Sequence, residues 1–201
     1  MTKVILIRHG QTEWNILGKY QGHSDIDLSV LGIEQANLLA QRLTKEKIDA
    51  IYTSDLKRAI KTAECIANKH QLSVQIIPEL KEISFGDWEG LDYNTINLKW
   101  PGEVERFFKN AESIVIPNGE TFYEVEQRSC NAIQKIIEQH RNQTIIIVSH
   151  GGTIRALLAH ALHIPLKYIW NIRQDNTAVN ILKYADNQVV IELLNDTHHL
   201  K

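Results

Sequence analysis

Short runs of apolar residues, many of them β-branched, alternate along this chain with longer segments whose apolar residues recur every three or four positions. The short runs predict buried β-strands, and the clearest of them is Thr144–Val148. Strands are predicted at residues 3–7, 50–53, 74–77, 144–148, 179–182 and 189–193. A turn at Ala185, Asp186 and Asn187 separates the last two, which are therefore compatible with an antiparallel edge of the sheet.

The longer segments predict amphipathic helices, and polar residues in front of several of them predict where these helices begin. Ser29 precedes one helix, and the run Thr53-Ser54-Asp55 precedes another. Thr121 and Glu124 have the spacing of a capping box for a third. Strands that alternate with helices in this way predict an α/β fold, with a mostly parallel six-stranded sheet flanked by helices on both faces.

Two stretches of the chain carry neither period. Residues 9–28 form a long loop after the first strand, and residues 85–120 are an irregular insertion with a short helix that Asp92 caps. Long loops in compact domains usually serve a function, so we expect the insertion to cap a site. The chain has 201 residues, enough for a large core, and it contains no linker-like stretch. We therefore expect a single domain over residues 1–201.

Composition and charge narrow the class of partner. Hydrophobic residues make up 43% of the chain, charged residues 23%, and the net charge is −2. This balance gives no reason to expect nucleic acid or a membrane as partner, and no apolar run approaches membrane-spanning length. Cys65 and Cys130 lie far apart, within predicted helices. We expect them to be buried free thiols in a reducing compartment, which favours a cytoplasmic location.

Two of the predicted strands end in the same kind of sequence. Arg8-His9-Gly10 follows the first strand, and Ser149-His150-Gly151 follows the strand at 144–148. Ligands of open α/β sheets bind at the carboxyl ends of the strands, so we expect both histidines at one site. Arg58, one turn into a helix beyond another strand, is expected to reach the same edge. Guanidinium groups bind phosphate well, and a helix begins directly after His150, so the expected ligand is an anion such as phosphate.

The string Arg8-His9-Gly10-x-Thr12-x-Trp14-Asn15 resembles the signature of the histidine phosphatase superfamily, whose members have a phosphoglycerate mutase-like fold. Further matches follow in the expected order over most of the chain. The resemblance implies hydrolysis of small phosphomonoesters in which a neutral His9, its tautomer fixed by a backbone carbonyl, takes the phosphoryl group onto a ring nitrogen. It also implies that no metal ion and no other cofactor is needed.

The resemblance assigns roles to individual residues. The groups that would hold the phosphoryl oxygens are two arginines and an imidazolium, namely Arg8, Arg58 and His150. The residues implied to line the same phosphate pocket are Asn15, Gln21, Gly22 and Gly151. Glu82 matches the general acid that protonates the leaving alkoxide and then activates water. Residue chemistry alone does not separate it from three neighbours, Glu79, Asp87 and Glu89, of which Glu79 is the second choice.

Three other functions are open at this point. A cofactor-dependent phosphoglycerate mutase shares the chemistry as far as phosphohistidine, but family mutases are longer and carry paired arginines in the insertion, where this chain has Arg106 alone. An inactive phosphate-binding relative would usually have lost the histidine or the acid, and both are present here. A metal site built on His9 and His150 lacks ligand spacings such as H-x-H.

The substrate is open among phosphoserine, α-ribazole phosphate, sugar phosphates and other small esters. Lys81 and Arg106 are candidates for binding a substrate carboxylate. An apolar wall is expected from some of the insertion-side aromatic residues, although at least half should pack in the core: Trp88, Phe107, Phe108 and Phe122.

The C-terminal residues 195–201 resemble the tail of phosphoserine phosphatase-like and α-ribazole phosphatase-like members. We therefore expect two alternatives for this tail. It either folds over the pocket, so that deleting residues 196–201 would alter substrate preference, or it leaves its histidines on the surface. The histidines expected on the surface are His23, His198 and His199. Both a monomer and a homodimer are compatible with the sequence.

Overall fold

In the computed structural model, which describes residues 1–185 and 188–201, a six-stranded sheet runs through the molecule. Its strand order is β3-β2-β4-β1-β5-β6, and all six predicted strands are present in it. The strands are β1 (Thr2–Arg8), β2 (Ala50–Thr53), β3 (Val74–Ile76), β4 (Thr144–Ser149), β5 (Val179–Ala185) and β6 (Gln188–Asp196). The predicted turn before β6 falls on Asp186 and Asn187, which lie outside the described residues.

The prediction of a mostly parallel sheet is wrong, because the sheet is mixed. The strands from β3 to β1 pair in parallel, whereas β5 runs antiparallel to both β1 and β6. The reason lies at the carboxyl end of β1. The chain returns to this end before β5 starts, and Thr177 donates its backbone N–H to the carbonyl of Arg8 at 3.1 Å. A strand that starts where its neighbour ends runs in the opposite direction.

Helices cover both faces of the sheet, as predicted. The α-helices of the described residues are α1 (Glu13–Ile16), α2 (Val30–Leu43), α3 (Lys57–His70), α4 (Tyr93–Lys99), α5 (Glu103–Lys109), α6 (Phe122–Gln139) and α7 (Gly151–Ala161). Val4 and Leu6 of β1 pack with α6 and α7, whereas Ile5 and Ile7 pack with α2 and α3. This two-sided burial explains why the central strands are continuous apolar runs. None of these helices is both long enough and apolar enough to cross a membrane.

The helix starts were predicted correctly, with two exceptions. The first is α1, which lies in the stretch 9–28 that was expected to be a loop and begins directly after its cap residue Thr12. Ser29 caps α2, Asp92 caps α4, and Thr121 with Glu124 forms the capping box of α6. The expected cap of α3 by Thr53-Ser54-Asp55 is wrong, because α3 starts only at Lys57 and has no cap from its own side chains. The N–H of Lys57 instead donates to the carboxylate of Asp25, at 2.8 Å, from the long loop.

The segment 85–120 contains α4 and α5 and is attached to the core by aromatic packing. The ring centroid of Phe107 lies 5.7 Å from those of Trp88 and Phe122, and all three side chains are buried. Phe108 is the exception, with 45% of its surface exposed. The expectation that at least half of these aromatic residues pack in the core is confirmed.

Candidate active site

A cavity of about 360 Å³ lies at the carboxyl ends of the parallel strands. Seven of the nine predicted site residues line it, namely Arg8, His9, Asn15, Gln21, Gly22, Arg58 and Glu82. The other two adjoin it. His150 is fully buried, with its ring centroid 5.1 Å from that of His9, and a Cβ on Gly151 would lie 3.4 Å from Nε of Arg8. The structure therefore brings all nine residues together.

His9 is oriented by the backbone of the next residue. Its Nδ1 lies 2.7 Å from the carbonyl oxygen of Gly10, and because a carbonyl only accepts, Nδ1 carries the proton. The lone pair of Nε2 is then available. Burial and the nearby charges of Arg58 and Arg8 hold the pKa of His9 well below its ordinary value, so the ring is neutral at neutral pH. The predicted backbone partner is present, and the lowered pKa supports the predicted neutral state.

Three buried nitrogens around His9 have no hydrogen-bond partner among the residues that the structure describes: Nε of Arg8, Nε of Arg58 and Nδ1 of His150. Other atoms of the two arginines are anchored. Arg8 donates to the carbonyl of Gln174 at 2.7 Å, and Arg58 donates to those of Gly22 and Ser24 at 2.7 and 2.8 Å. An unpaired buried donor costs about 1–3 kcal/mol, so three together indicate a ligand with several acceptor oxygens.

His150 is buried among positive charges. Burial, followed by the charges of Arg58 and of the neighbouring His9, holds the pKa of His150 well below its ordinary value. This favours a neutral imidazole in the free site, whereas the imidazolium expected beside a bound phosphate dianion stays a prediction. Its Nε2 lies 2.7 Å from Oγ of Ser54. If that hydroxyl donates, the proton of His150 sits on Nδ1, which remains a donor. Sequence analysis missed this role because Ser54 resembles a helix cap.

Glu82 is distinguished from the neighbouring acids by its position. Its carboxylate accepts hydrogen bonds from the N–H groups of Ile83, Gly152 and Thr153 at 3.0–3.1 Å. Gly152 and Thr153 belong to the first turn of α7, so Glu82 caps the start of this helix. The expectation that this helix start faces phosphate is therefore wrong for the N–H groups of Gly152 and Thr153. Glu79 is exposed and does not line the cavity.

The other two acids also have different partners. Glu89 accepts the N–H groups of His23 and Ser24, both at 2.8 Å, and so holds the loop beside Gly22. Asp87 is exposed and accepts from Asn118. Among the four acids, only Glu82 lines the cavity.

The outer part of the cavity contains Phe108, one of the aromatic residues expected to form an apolar wall, together with five residues that sequence analysis missed. These five come from the long loop and the insertion: Gly18, Lys19, Tyr20, Phe85 and Tyr93. The predicted carboxylate-binding residues do not line the cavity, because Lys81 pairs with Asp55 at 3.0 Å and Arg106 pairs with Glu103 at 2.8 Å. The only available sequence signal for Lys19 was its place in the loop that follows the Arg-His-Gly signature.

The C-terminal tail packs against α2 and not over the cavity. Arg42 of α2 binds the carboxylate of Asp196 at 2.5 Å, and His199 contacts Thr177 at 3.1 Å. None of residues 195–201 lines the cavity. His23 and His198 are exposed as expected, but His199 is half-buried, and burial followed by the charge of Arg42 lowers its pKa to about 4.

The two cysteines also differ from the expectation. Cys65 and Cys130 are free thiols in α3 and α6, but they are partly buried and not fully enclosed.

The two buried histidines predict how stability depends on pH. His9 and His150 stay neutral in the folded protein, whereas in the unfolded chain they take up protons as the pH falls through 6.5. The unfolded state then binds more protons, so the free energy of unfolding should fall below that pH, by up to about 1.4 kcal/mol per pH unit for each histidine. Urea unfolding at about pH 7 and about pH 5.5 measures this loss. The free energy of unfolding of His150→Gln should fall clearly less over this pH range than that of the wild type, and an equal fall would contradict the prediction.

Comparison with known proteins gives a result consistent with this geometry. The family model described as histidine phosphatase superfamily (branch 1) matches residues 4–197. Phosphoserine phosphatase 1 of Hydrogenobacter thermophilus is 36% identical over all of this chain and 95% of its own length. Phosphoglycerate mutase-like protein 4 of Arabidopsis thaliana is 36% identical over 99% of this chain and 87% of its own.

Among solved structures, a mutant phosphoserine phosphatase of Entamoeba histolytica in complex with phosphoserine superposes with a TM-score of 0.89. Its sequence is 34% identical, and the match covers both chains completely. The chain therefore belongs to branch 1 of the histidine phosphatase superfamily. Within this superfamily it is a phosphatase, a hydrolase of phosphomonoesters.

Proposed function

We propose that this chain hydrolyses small phosphomonoesters without a metal ion, through a phosphohistidine on His9. The observation that carries the proposal is the set of unpartnered donors around a neutral histidine, on Arg8, Arg58 and His150. A phosphate dianion has the acceptor oxygens that these donors lack. Two buried guanidinium groups next to the reacting phosphorus stabilise the charge of the transition state. In other enzymes of phosphoryl transfer, a metal ion has this role.

The proposed reaction has two steps. In the first, Nε2 of His9 attacks phosphorus, the bond from phosphorus to the ester oxygen breaks, and the carboxyl group of Glu82 gives that oxygen a proton. In the second, Glu82 takes a proton from water, the resulting hydroxide attacks phosphorus, the bond from phosphorus to Nε2 of His9 breaks, and inorganic phosphate leaves. Asn15, Gln21 and Gly22 line the cavity beside His9 and would complete the phosphate pocket.

We also propose that residues 1–201 form a single domain in which the segment 85–120 caps the site. Phe85, Tyr93 and Phe108 of this segment line the cavity, which supports its role as a cap. The single domain is supported by the two core clusters, which lie on the two faces of one sheet.

The proposed substrates carry a carboxylate on the group that leaves, as phosphoserine does. Support comes from the named relatives and from Lys19, which lines the outer part of the cavity and has no ion-pair partner within 4.0 Å among the described residues. The Nζ atom of Lys19 lies 5.8 Å from the ring centroid of Trp14, and this cation–π contact leaves the charge of the ammonium group in place.

Replacing Lys19 tests this substrate class. Lys19→Met should raise KM for phosphoserine about five-fold, because one partly solvated ion pair contributes at most about 1 kcal/mol. KM for p-nitrophenyl phosphate, which has no carboxylate, should change less than about two-fold. Lys19→Arg should restore the wild-type KM. Equal changes for both esters would show that Lys19 attracts phosphate in general, and would contradict the proposed class.

The experiment that tests the function as a whole is phosphate release from a panel of esters with excess chelator. The panel contains phosphoserine, 3-phosphoglycerate, glycerol phosphate and p-nitrophenyl phosphate. Release that chelator does not reduce is expected. Release that chelator abolishes would mean metal-dependent hydrolysis, which overturns the metal-independent mechanism. Interconversion of phosphoglycerates without release would favour a mutase, the activity in the name of the Arabidopsis relative. Binding without turnover would indicate a phosphate-binding module.

A further inference from the structure

The segment that carries Glu82 has little regular structure of its own, yet one side chain holds it along its length. Arg128 of α6 donates from Nη1 to the backbone carbonyls of Glu79 and Lys81, at 2.6 and 2.9 Å. Its Nη2 donates to the carbonyl of Glu82 itself, at 2.9 Å. A single guanidinium group thus fixes three carbonyls over four consecutive residues.

The same guanidinium group is fixed from its other side by Glu120. Nε and Nη2 of Arg128 bind the two carboxylate oxygens of Glu120 at 2.8 and 2.9 Å, which is a forked ion pair. Glu120 also accepts the N–H of Ser84 at 2.9 Å. Although burial raises the pKa of Glu120, the nearby His23 and hydrogen bonds from Arg128 and Ser84 lower it to about 2, so this carboxylate is ionised at working pH.

His23 connects this cluster to the phosphate pocket. Its Nε2 lies 2.9 Å from the carbonyl oxygen of Glu82 and 3.6 Å from the carboxylate of Glu120. His23 follows Gly22, which lines the cavity. The backbone of Glu82 is therefore held between α6 on one side and the phosphate-binding loop on the other.

A side chain with this contact pattern acts on catalysis through geometry. Proton transfer needs the acid within hydrogen-bond distance of the ester oxygen, and a displacement of about 1 Å can cost about 100-fold in rate. Neither Arg128 nor Glu120 lines the cavity, so neither is placed to touch the substrate. A lysine would keep the charge at 128, but one ammonium group cannot form the fork to Glu120 and reach three carbonyls.

We propose that Arg128, paired with Glu120, is a positioning residue for Glu82 and sets the distance over which the leaving oxygen receives its proton. This inference rests on the proposed function, in which Glu82 is the acid. It predicts that, without Arg128, transfer of the phosphoryl group to His9 slows only where the leaving group needs a proton. The alkoxide of phosphoserine needs one, whereas p-nitrophenolate is a stable anion that leaves without it.

The test compares kcat/KM for phosphoserine and for p-nitrophenyl phosphate in matched variants, because kcat/KM reports only the steps up to loss of the leaving group and not the second step that both esters share. Arg128→Gln should lower kcat/KM for phosphoserine at least about 20-fold and kcat/KM for p-nitrophenyl phosphate less than about three-fold. Arg128→Lys should lie between Arg128→Gln and the wild type. Arg141→Gln removes the same charge from an exposed arginine and should leave both rates unchanged. The rate with p-nitrophenyl phosphate also reports how much of each variant is folded.

Glu82→Gln and the double variant Glu82→Gln/Arg128→Gln complete the test. If Arg128 acts through Glu82, the double variant should be no slower on phosphoserine than Glu82→Gln alone, since both changes remove one function. A parallel loss on both esters in Arg128→Gln would mean a structural role only and would overturn the inference. If Glu82→Gln slows phosphoserine more than p-nitrophenyl phosphate but Arg128→Gln does not, the inference about Arg128 is overturned, while the proposed function stands. No release by the wild type would overturn the proposed function itself.

Discussion

Replacing His9 by alanine should lower phosphate release from every ester by at least about a thousand-fold. Nε2 of His9 is the proposed nucleophile, and the Nδ1 contact to Gly10 leaves its lone pair free. The substitution removes the nucleophile but keeps the donors of Arg8, Arg58 and His150. Binding should therefore survive, and vanadate or inorganic phosphate should still raise the unfolding temperature of His9→Ala.

The phosphohistidine can be measured directly by quenching the reaction rapidly without acid, with a substrate whose phosphoryl group is labelled. Wild-type protein should carry label that is stable in alkali and lost in acid, as expected for a phosphoramidate, and His9→Ala should carry none. His198→Ala, a change at an exposed histidine, should behave as the wild type. Substantial turnover by His9→Ala would contradict a phosphohistidine and would favour direct attack by water.

Replacing Arg58 by lysine should have the second-largest effect, although the charge is kept. Arg58 is fully buried, donates to the carbonyls of Gly22 and Ser24, and keeps Nε without a partner among the described residues. A lysine cannot serve both carbonyls and a phosphate oxygen at once. We expect kcat/KM to fall about 100-fold and the free energy of unfolding to fall by about 2 kcal/mol, because a buried carbonyl loses its donor.

Kinetics and urea unfolding measure the two effects of Arg58→Lys separately. Arg173→Lys is the matched control, since Arg173 is largely exposed and pairs only with Asp175 in the described residues. If Arg58→Lys stayed within about three-fold of the wild type, the proposed role of this guanidinium group, which holds two loop carbonyls and a phosphate oxygen at once, would be wrong.

Local pattern was enough to predict the strands and most helix starts, because burial on both faces and capping chemistry act over a few residues. The antiparallel pairing of β5 with β6 agrees with the predicted antiparallel edge, but the antiparallel pairing of β5 with β1 was not predictable in this way. It depends on where the chain between α7 and Thr177 returns to the sheet, and no period in the sequence encodes that path. The mixed sheet is the result.

The candidate site also combines features that local sequence predicts with features that depend on distant contacts. His9, His150 and Arg58 were expected together because the carboxyl ends of parallel strands meet at one edge. The choice of Glu82 among four acids needed the family resemblance. Arg128 and Glu120 were missed because Arg128 binds backbone carbonyls 46–49 positions away, and such contacts leave no mark on the identity of the residues that accept them.

The contacts behind the nucleophile link the two ends of the chain. Asn176 and Thr177 donate to the carbonyl of His9 at 3.0 and 3.3 Å, and Gln174 accepts from Arg8, although these residues are more than 160 positions apart. During synthesis, Arg8 and His9 leave the ribosome more than 160 residues before these partners and cannot form the contacts until that intervening chain has been made. A growing chain therefore cannot acquire a complete phosphate pocket in stages, and the catalytic centre is finished only when the fold is.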